Sequence, residues 1–194
     1  TGATVPLTDL DAILAATSGI VTATVASGTA ADLVDALENA KATDALKLEV
    51  TGTPTAADLL ALDGKTSVVV DVKAISITGT AADVKKLLAS KGVSLAKNVA
   101  IEIEQDTEVS AADVNAIAKA TTGIVTATVA AGTAAALNKA LGNATKDDAL
   151  ELEVSGKTAT ASDLLALDGK TSVKVGAKEV ESITGTVADL KKVF

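Results

Sequence analysis

A stretch of thirteen residues occurs twice in this chain, and the order of its surroundings is kept with it. Thr17 to Thr29 (TSGIVTATVASGT) recurs almost unchanged from Thr121, an offset of 104 residues. Leu59 to Lys65 (LLALDGK) maps onto Leu164 to Lys170 at an offset of 105, and Ile77 to Thr80 (ITGT) onto Ile183 to Thr186 at 106. The drift places single-residue insertions in loops while the elements keep their order. A chain that repeats itself must give every copy a similar neighbourhood, which favours arrays of one supersecondary unit over a single irregular core.

A shorter period lies inside the long one: a Thr or Ser followed three residues later by Asp, between apolar residues. It occurs at Thr8/Asp11, Thr29/Asp32, Thr55/Asp58, Thr80/Asp83, Ser110/Asp113, Thr160/Asp163 and Thr186/Asp189, with Thr133/Ala136 as a degenerate copy. The hydroxyl can accept from an orphan amide of a first helical turn, and the acid can reach back to the cap and favours the positive helix end. Each mark therefore predicts a helix start. Leu33, Ala36 and Leu37, or Val84, Leu87 and Leu88, then fall on one face of a short helix.

Alternating runs precede most marks: Leu46-x-Leu48-x-Val50, Ile75-x-Ile77, Val99-x-Ile101-x-Ile103, Val125-x-Ala127-x-Val129 and Leu150-x-Leu152-x-Val154. Period two predicts strands, and Ser67–Val72 and Ser172–Val175 predict a second short strand in two of the copies. Strand, tight turn, helix and longer return is the βαβ order, which requires parallel strands and right-handed crossovers. The expected fold is thus α/β: a right-handed parallel strand-helix solenoid, leucine-rich-repeat-like, of about seven units of about 25 residues. Residues 1–104 form the first four-unit supra-repeat, and 105–194 a second, incomplete one of the same continuous solenoid. A doubly wound sheet is the rival, but it reverses strand order midway and would give the copies unlike neighbours.

Composition narrows the chemistry. The chain has no His, Cys, Met, Trp or Tyr and one Phe, and all its basic residues are Lys, so a core of Val, Leu, Ile and Ala is required. Without His or Cys there is no imidazole base, no thiolate and no ordinary zinc site, so no enzyme is expected. Twenty-five acidic against 17 basic residues leave a formal charge of −8, which repels nucleic-acid phosphates. No apolar run reaches the roughly 20 residues that span a bilayer.

Candidate sites are few. Asp63-Gly64-Lys65-Thr66-Ser67 and its copy from Asp168 end like a phosphate-binding loop. Leu59 and Leu164 stand where that motif needs Gly, so each reads as a helix-ending Gly and a loop. Glu102, Glu104, Asp106 and Glu108, with Asp147, Asp148, Glu151 and Glu153, alternate with apolar residues. Such an acidic face keeps a sheet soluble. Lys47/Glu49, Glu102/Glu104 and Glu151/Glu153 are expected on comparable outward rows, and oxygen-rich rows could hold Ca²⁺ through Glu102, Glu104, Asp106, Glu151 and Glu153. No other cofactor is implied. Asn143-Ala144-Thr145 fits a glycosylation sequon. Phe194, the lone aromatic, is expected to pack on the last layer or on a unit beyond it.

Thr78 to Val84 (TGTAADV), ITGT with its variant at Ile183, and LLALDGKTSV resemble the Thr/Ala/Val-rich repeats of very large exported bacterial proteins, S-layer-like and RTX-associated, of marine and cyanobacterial type. The resemblance implies an extracellular or cell-surface location, a structural or adhesive role and no catalytic residues. The marks at Thr8 and Thr186 look like internal units, not the polar caps a solenoid needs, and the chain opens on Thr1. The expectation is a piece of a longer array or a subunit that stacks end to end, in a filament, surface layer or adhesin. A ligand- or Ca²⁺-binding solenoid module and a consensus-designed repeat are the alternatives.

Overall fold

The computed structural model describes residues 4–104 and 108–194. The chain divides into two units, 1–100 and 101–194. In the first, the elements run β1 (Thr4–Val5), α1 (Leu7–Ala15), β2 (Thr22–Val25), β3 (Gly28–Thr29), α2 (Ala30–Ala36), β4 (Ala45–Lys47), β5 (Glu49–Thr51), α3 (Ala56–Asp63), β6 (Val70–Val72), β7 (Ser76–Gly79), α4 (Ala81–Ala89) and β8 (Val93–Ser94). The second opens with β9 (Ala100–Ile103) and continues through α5 (Ala111–Ala120), β10 (Val125–Thr128), α6 (Ala134–Ala140), β11 (Ala149–Glu151), β12 (Thr158–Thr160), α7 (Ala161–Asp168), β13 (Ser182–Thr184) and α8 (Val187–Val193). The molecule is a mixed α/β protein whose described strand pairs are all parallel.

The caps explain where the helices begin. Thr29, Thr55, Thr80, Ser110, Thr160 and Thr186 each accept the backbone N–H of the Asp three residues on, and Thr133 accepts that of Ala136. In five of them the cap hydroxyl also donates to the Asp carboxylate, at 2.7–2.9 Å. The mark at Thr8 fails. Helix α1 starts two residues earlier with Pro6 as its N-cap, and the Thr8 hydroxyl donates to Asp9 at 3.2 Å. No side chain caps this helix, and Asp9 N–H bonds the Pro6 carbonyl at 3.2 Å.

In the first unit β1-β2-β4 and β3-β5-β6-β8 are two parallel sheets, each with its strands in chain order. The second has β9, β10 and β11 side by side and β12 beside β13. Thr4 faces Thr24 and Val125 faces Ile101, so partners lie 20 (24 − 4) to 24 (125 − 101) residues apart along the chain. Helices α1 to α4 pack in sequence order in the first unit, and α5 to α8 do so in the second. The strand order never reverses within a unit, unlike a doubly wound sheet.

Two details differ from the sequence expectation. The eight helices among the described residues are accompanied by thirteen strands, so a helix is commonly preceded by two short strands rather than one. Leu46, Leu48 and Val50 are all buried, yet the run breaks at Leu48: β4 joins one sheet and β5 the other. Alternation fixes which side chains point inward but not where a strand bends. Ile75, expected to alternate inward with Ile77, is 87% exposed, while Ile77 is fully buried. The interior is otherwise as composition requires, with Leu33, Leu59 and Leu62 in the first unit and Val114, Ile117 and Leu150 in the second all at 0% exposure.

Candidate functional site

Two motifs that sequence reading placed in loops or on a solvated face prove to be the buried polar centre of each unit. Asp44, immediately before β4, is 1% exposed, and Asp148, before β11, is 4% exposed. One Asp44 carboxylate oxygen accepts Val21 N–H and the other Lys41 N–H, both at 2.8 Å. The Asp44 carbonyl accepts Ser67 N–H at 2.8 Å and the Ser67 and Thr66 hydroxyls. Asp148 repeats this with Val125 and Thr145 on its carboxylate and Ser172 and Thr171 on its carbonyl. Each aspartate therefore ties the preceding turn of chain, its own and the following one.

Thr66 and Thr171 complete the arrangement. The Thr66 hydroxyl, 5% exposed, accepts Leu46 N–H at 3.0 Å and lies 2.8 Å from Leu46 O; Thr171, fully buried, does the same with Leu150 at 2.9 and 2.7 Å. These are the Thr residues of the two phosphate-loop-like pieces. Gly64 and Gly169 end α3 and α7, and Lys65 and Lys170 donate to the carbonyls of Glu38 and Leu141. The pieces close helices and plug the ends of strands. For Asp44, burial alone raises the pKa, but the Val21 and Lys41 amides and the Lys41 charge outweigh it and hold the carboxyl below its ordinary value.

A cleft of about 660 Å³ opens in the second unit between the end of β11 and the segment 173–178. Glu108, Glu151, Glu153, Lys174 and Lys178 bring charge to its wall. Glu151 stands opposite Thr128 in the β10–β11 ladder and accepts its hydroxyl at 3.1 Å. Glu153 stands opposite Gly176, and Lys178 N–H reaches its carboxylate at 3.4 Å. The Glu153 carboxylate lies over Gly176, 1.8 Å from where a Cβ would stand, so a larger residue there would push that side chain aside. At the matching place in the first unit Asp71 faces Glu49, and its bond to Lys73 at 2.7 Å raises that lysine's pKa.

The ladder fixes where two carboxylates of the expected row stand. Glu102 pairs with Thr126, which pairs in turn with Ala149, whereas Glu151 pairs with Thr128. Glu102 and Glu151 are thus two strands and two residues out of line. Glu104 is exposed and is not among the cleft residues, and Asp106 lies outside the described residues. Among the described residues no three carboxylates are grouped to hold a metal ion. Lys47 and Glu49 belong to the first unit, where Lys47 faces Thr24 and Glu49 faces Asp71.

Asn143 of the sequon donates both its backbone and side-chain N–H to Asn115 Oδ1, at 2.7 and 3.1 Å, and Thr145 bonds Asp148. Phe194 is 90% exposed instead of packed on the last layer. No helix of the described residues is long and apolar enough to cross a membrane. Sequence reading did not single out Asp44 and put Asp148 on the solvated acidic face; the signal was their place in front of Ala-Leu in both copies, at Asp44-Ala45-Leu46 and Asp148-Ala149-Leu150. No protein-family model, curated protein or solved structure matches the chain.

Proposed function

We propose that this chain is a non-catalytic structural segment: a right-handed strand-helix solenoid that belongs to an extracellular bacterial surface protein, filament or layer and extends it end to end. The observation that carries this reading is where the buried polar groups go. Asp44, Thr66, Asp148 and Thr171 direct their hydrogen bonds to backbone of the same or adjoining turns of chain, so they serve cohesion between layers and not a reactant. Parallel pairing at a separation of one coil supports the solenoid, and the Thr/Ala/Val-rich repeats support the surface location.

Negative-stain imaging of the chain at rising concentration, with and without millimolar Ca²⁺, tests the reading. Fibres or sheets are expected. Discrete single particles under every condition would sink it. The second-unit cleft favours one other reading, a binding module for a ligand that carries both charges, because carboxylates and lysines line the same wall. Saturable binding by such a ligand, with no assembly, would establish that reading instead.

A further inference from the structure

The cleft in the second unit is a gap in a parallel ladder, between segments internal to the chain. Thr171 closes one end by bonding Leu150 N–H at 2.9 Å, and Gly176 N–H closes the other on Leu152 O at 2.8 Å. A regular ladder would continue between them with Leu152 N–H on the Lys174 carbonyl. That bond is not made: Leu152 is 3% exposed, and its N–H has no partner among the described residues. Buried backbone donors are almost always satisfied, so the floor of the cleft presents a donor that calls for an acceptor.

Charge is laid out along the same cleft. Glu108 stands one residue before the Val109–Val129 bridge, beside Thr128, and Thr128 pairs with Glu151. Two residues back from the Glu153–Gly176 bridge stand Glu151 and, on the facing segment, Lys174. Two carboxylates thus flank the Thr128 hydroxyl, and an ammonium lies two strand spacings from it, about 10 Å away. The side chains of Glu108 and Lys174 make no hydrogen bond or ion pair among the described residues. Val129, Leu152 and Val175 make the wall between them apolar. The first unit has the same frame without these charges. Thr4, Thr24 and Lys47 occupy the row that Glu108, Thr128 and Glu151 occupy, and Val69 stands where Lys174 does.

We propose that this cleft binds a short apolar peptide with free termini, its ammonium over Thr128 between Glu108 and Glu151, a backbone carbonyl on Leu152 N–H and its carboxylate at Lys174. Three extended residues span about 10 Å, which matches the separation of the charged ends. The inference rests on the binding-module reading and names the ligand class for it.

Isothermal titration with alanyl-leucyl-alanine, its N-acetyl form, its C-terminal amide and ε-aminocaproate tests it. The proteins are wild type, Glu108→Thr with Glu151→Lys, and Lys174→Val, each shown by circular dichroism to fold. The new residues are those the first unit carries at the same places, so the frame accepts them. Wild-type protein is expected to bind the free tripeptide saturably and each blocked form about two- to fivefold more weakly. The glutamate variant should no longer favour the free ammonium but should still prefer the free carboxylate, and Lys174→Val should do the reverse. Tripeptide binding whose charge preferences the variants leave in place overturns this placement. Binding of ε-aminocaproate, which has no peptide carbonyl, without binding of the tripeptide overturns the peptide and leaves the binding-module reading standing. Binding of neither overturns both.

Discussion

At the residue scale, stability is concentrated in groups with no alternative partner. Thr66 offers its hydroxyl to Leu46 N–H inside a dry region, and water cannot replace it. Thr66→Val, which keeps the shape and removes the oxygen, is expected to cost about 1–3 kcal/mol in urea unfolding, whereas Thr66→Ser should cost less because the bond survives. Asp44 adds a pH dependence. Its carboxyl is held below the ordinary value in the folded protein, so its contribution is present above the unfolded-chain value near ~4 and is lost as pH falls through the folded value. Stability should therefore decline on acidification below about pH 4. Asp44→Asn should flatten that part of the profile and lower stability at neutral pH, since an amide nitrogen would face one of two backbone donors.

At the element scale, the helices are two to three turns long and rely on their entrances. Helix α6 is the weak copy: Thr133 caps it, but Ala136 stands where the others have Asp. Ala136→Asp is expected to raise stability by about 0.3–1 kcal/mol through the helix-end charge and the Thr133 hydroxyl, read as a higher melting temperature at low salt. The spacing between helix and strand is set by Gly79, whose φ is +153° and whose added Cβ would lie 3.0 Å from Ala56 Cβ. Gly79→Ala should cost about 1–3 kcal/mol by overpacking and backbone strain. Adding Ala56→Gly should return the packing part of that loss. If the double variant is no more stable than the single one, the Ala56 contact is not the cause.

For the molecule as a whole, 25 acidic residues against 17 lysines resist association with other anions, yet the charge is unevenly distributed along the chain. Glu102 and Glu151, two of the carboxylates expected to hold Ca²⁺, stand at different ladder positions. Millimolar Ca²⁺ is therefore expected to leave the melting temperature unchanged within about 1 °C, because binding to the folded state alone would raise it. A larger rise would implicate Asp106 and the groups around it.

The sequence by itself determined the internal similarity, seven of the eight helix starts and the parallel sense of the strands. These depend on contacts within a few residues, such as Thr29 with Asp32, or on a periodicity visible without partners. Only the tertiary structure decided that Asp148 is buried while Glu151 is exposed, that the run through Leu48 divides between two sheets, and that Gly176 clears a place for Glu153. Each of these turns on which residue about 20–24 positions away lies alongside, and a one-residue change of register reverses which side chains point inward. Local spacing cannot encode that alignment; packing between segments distant in sequence selects it.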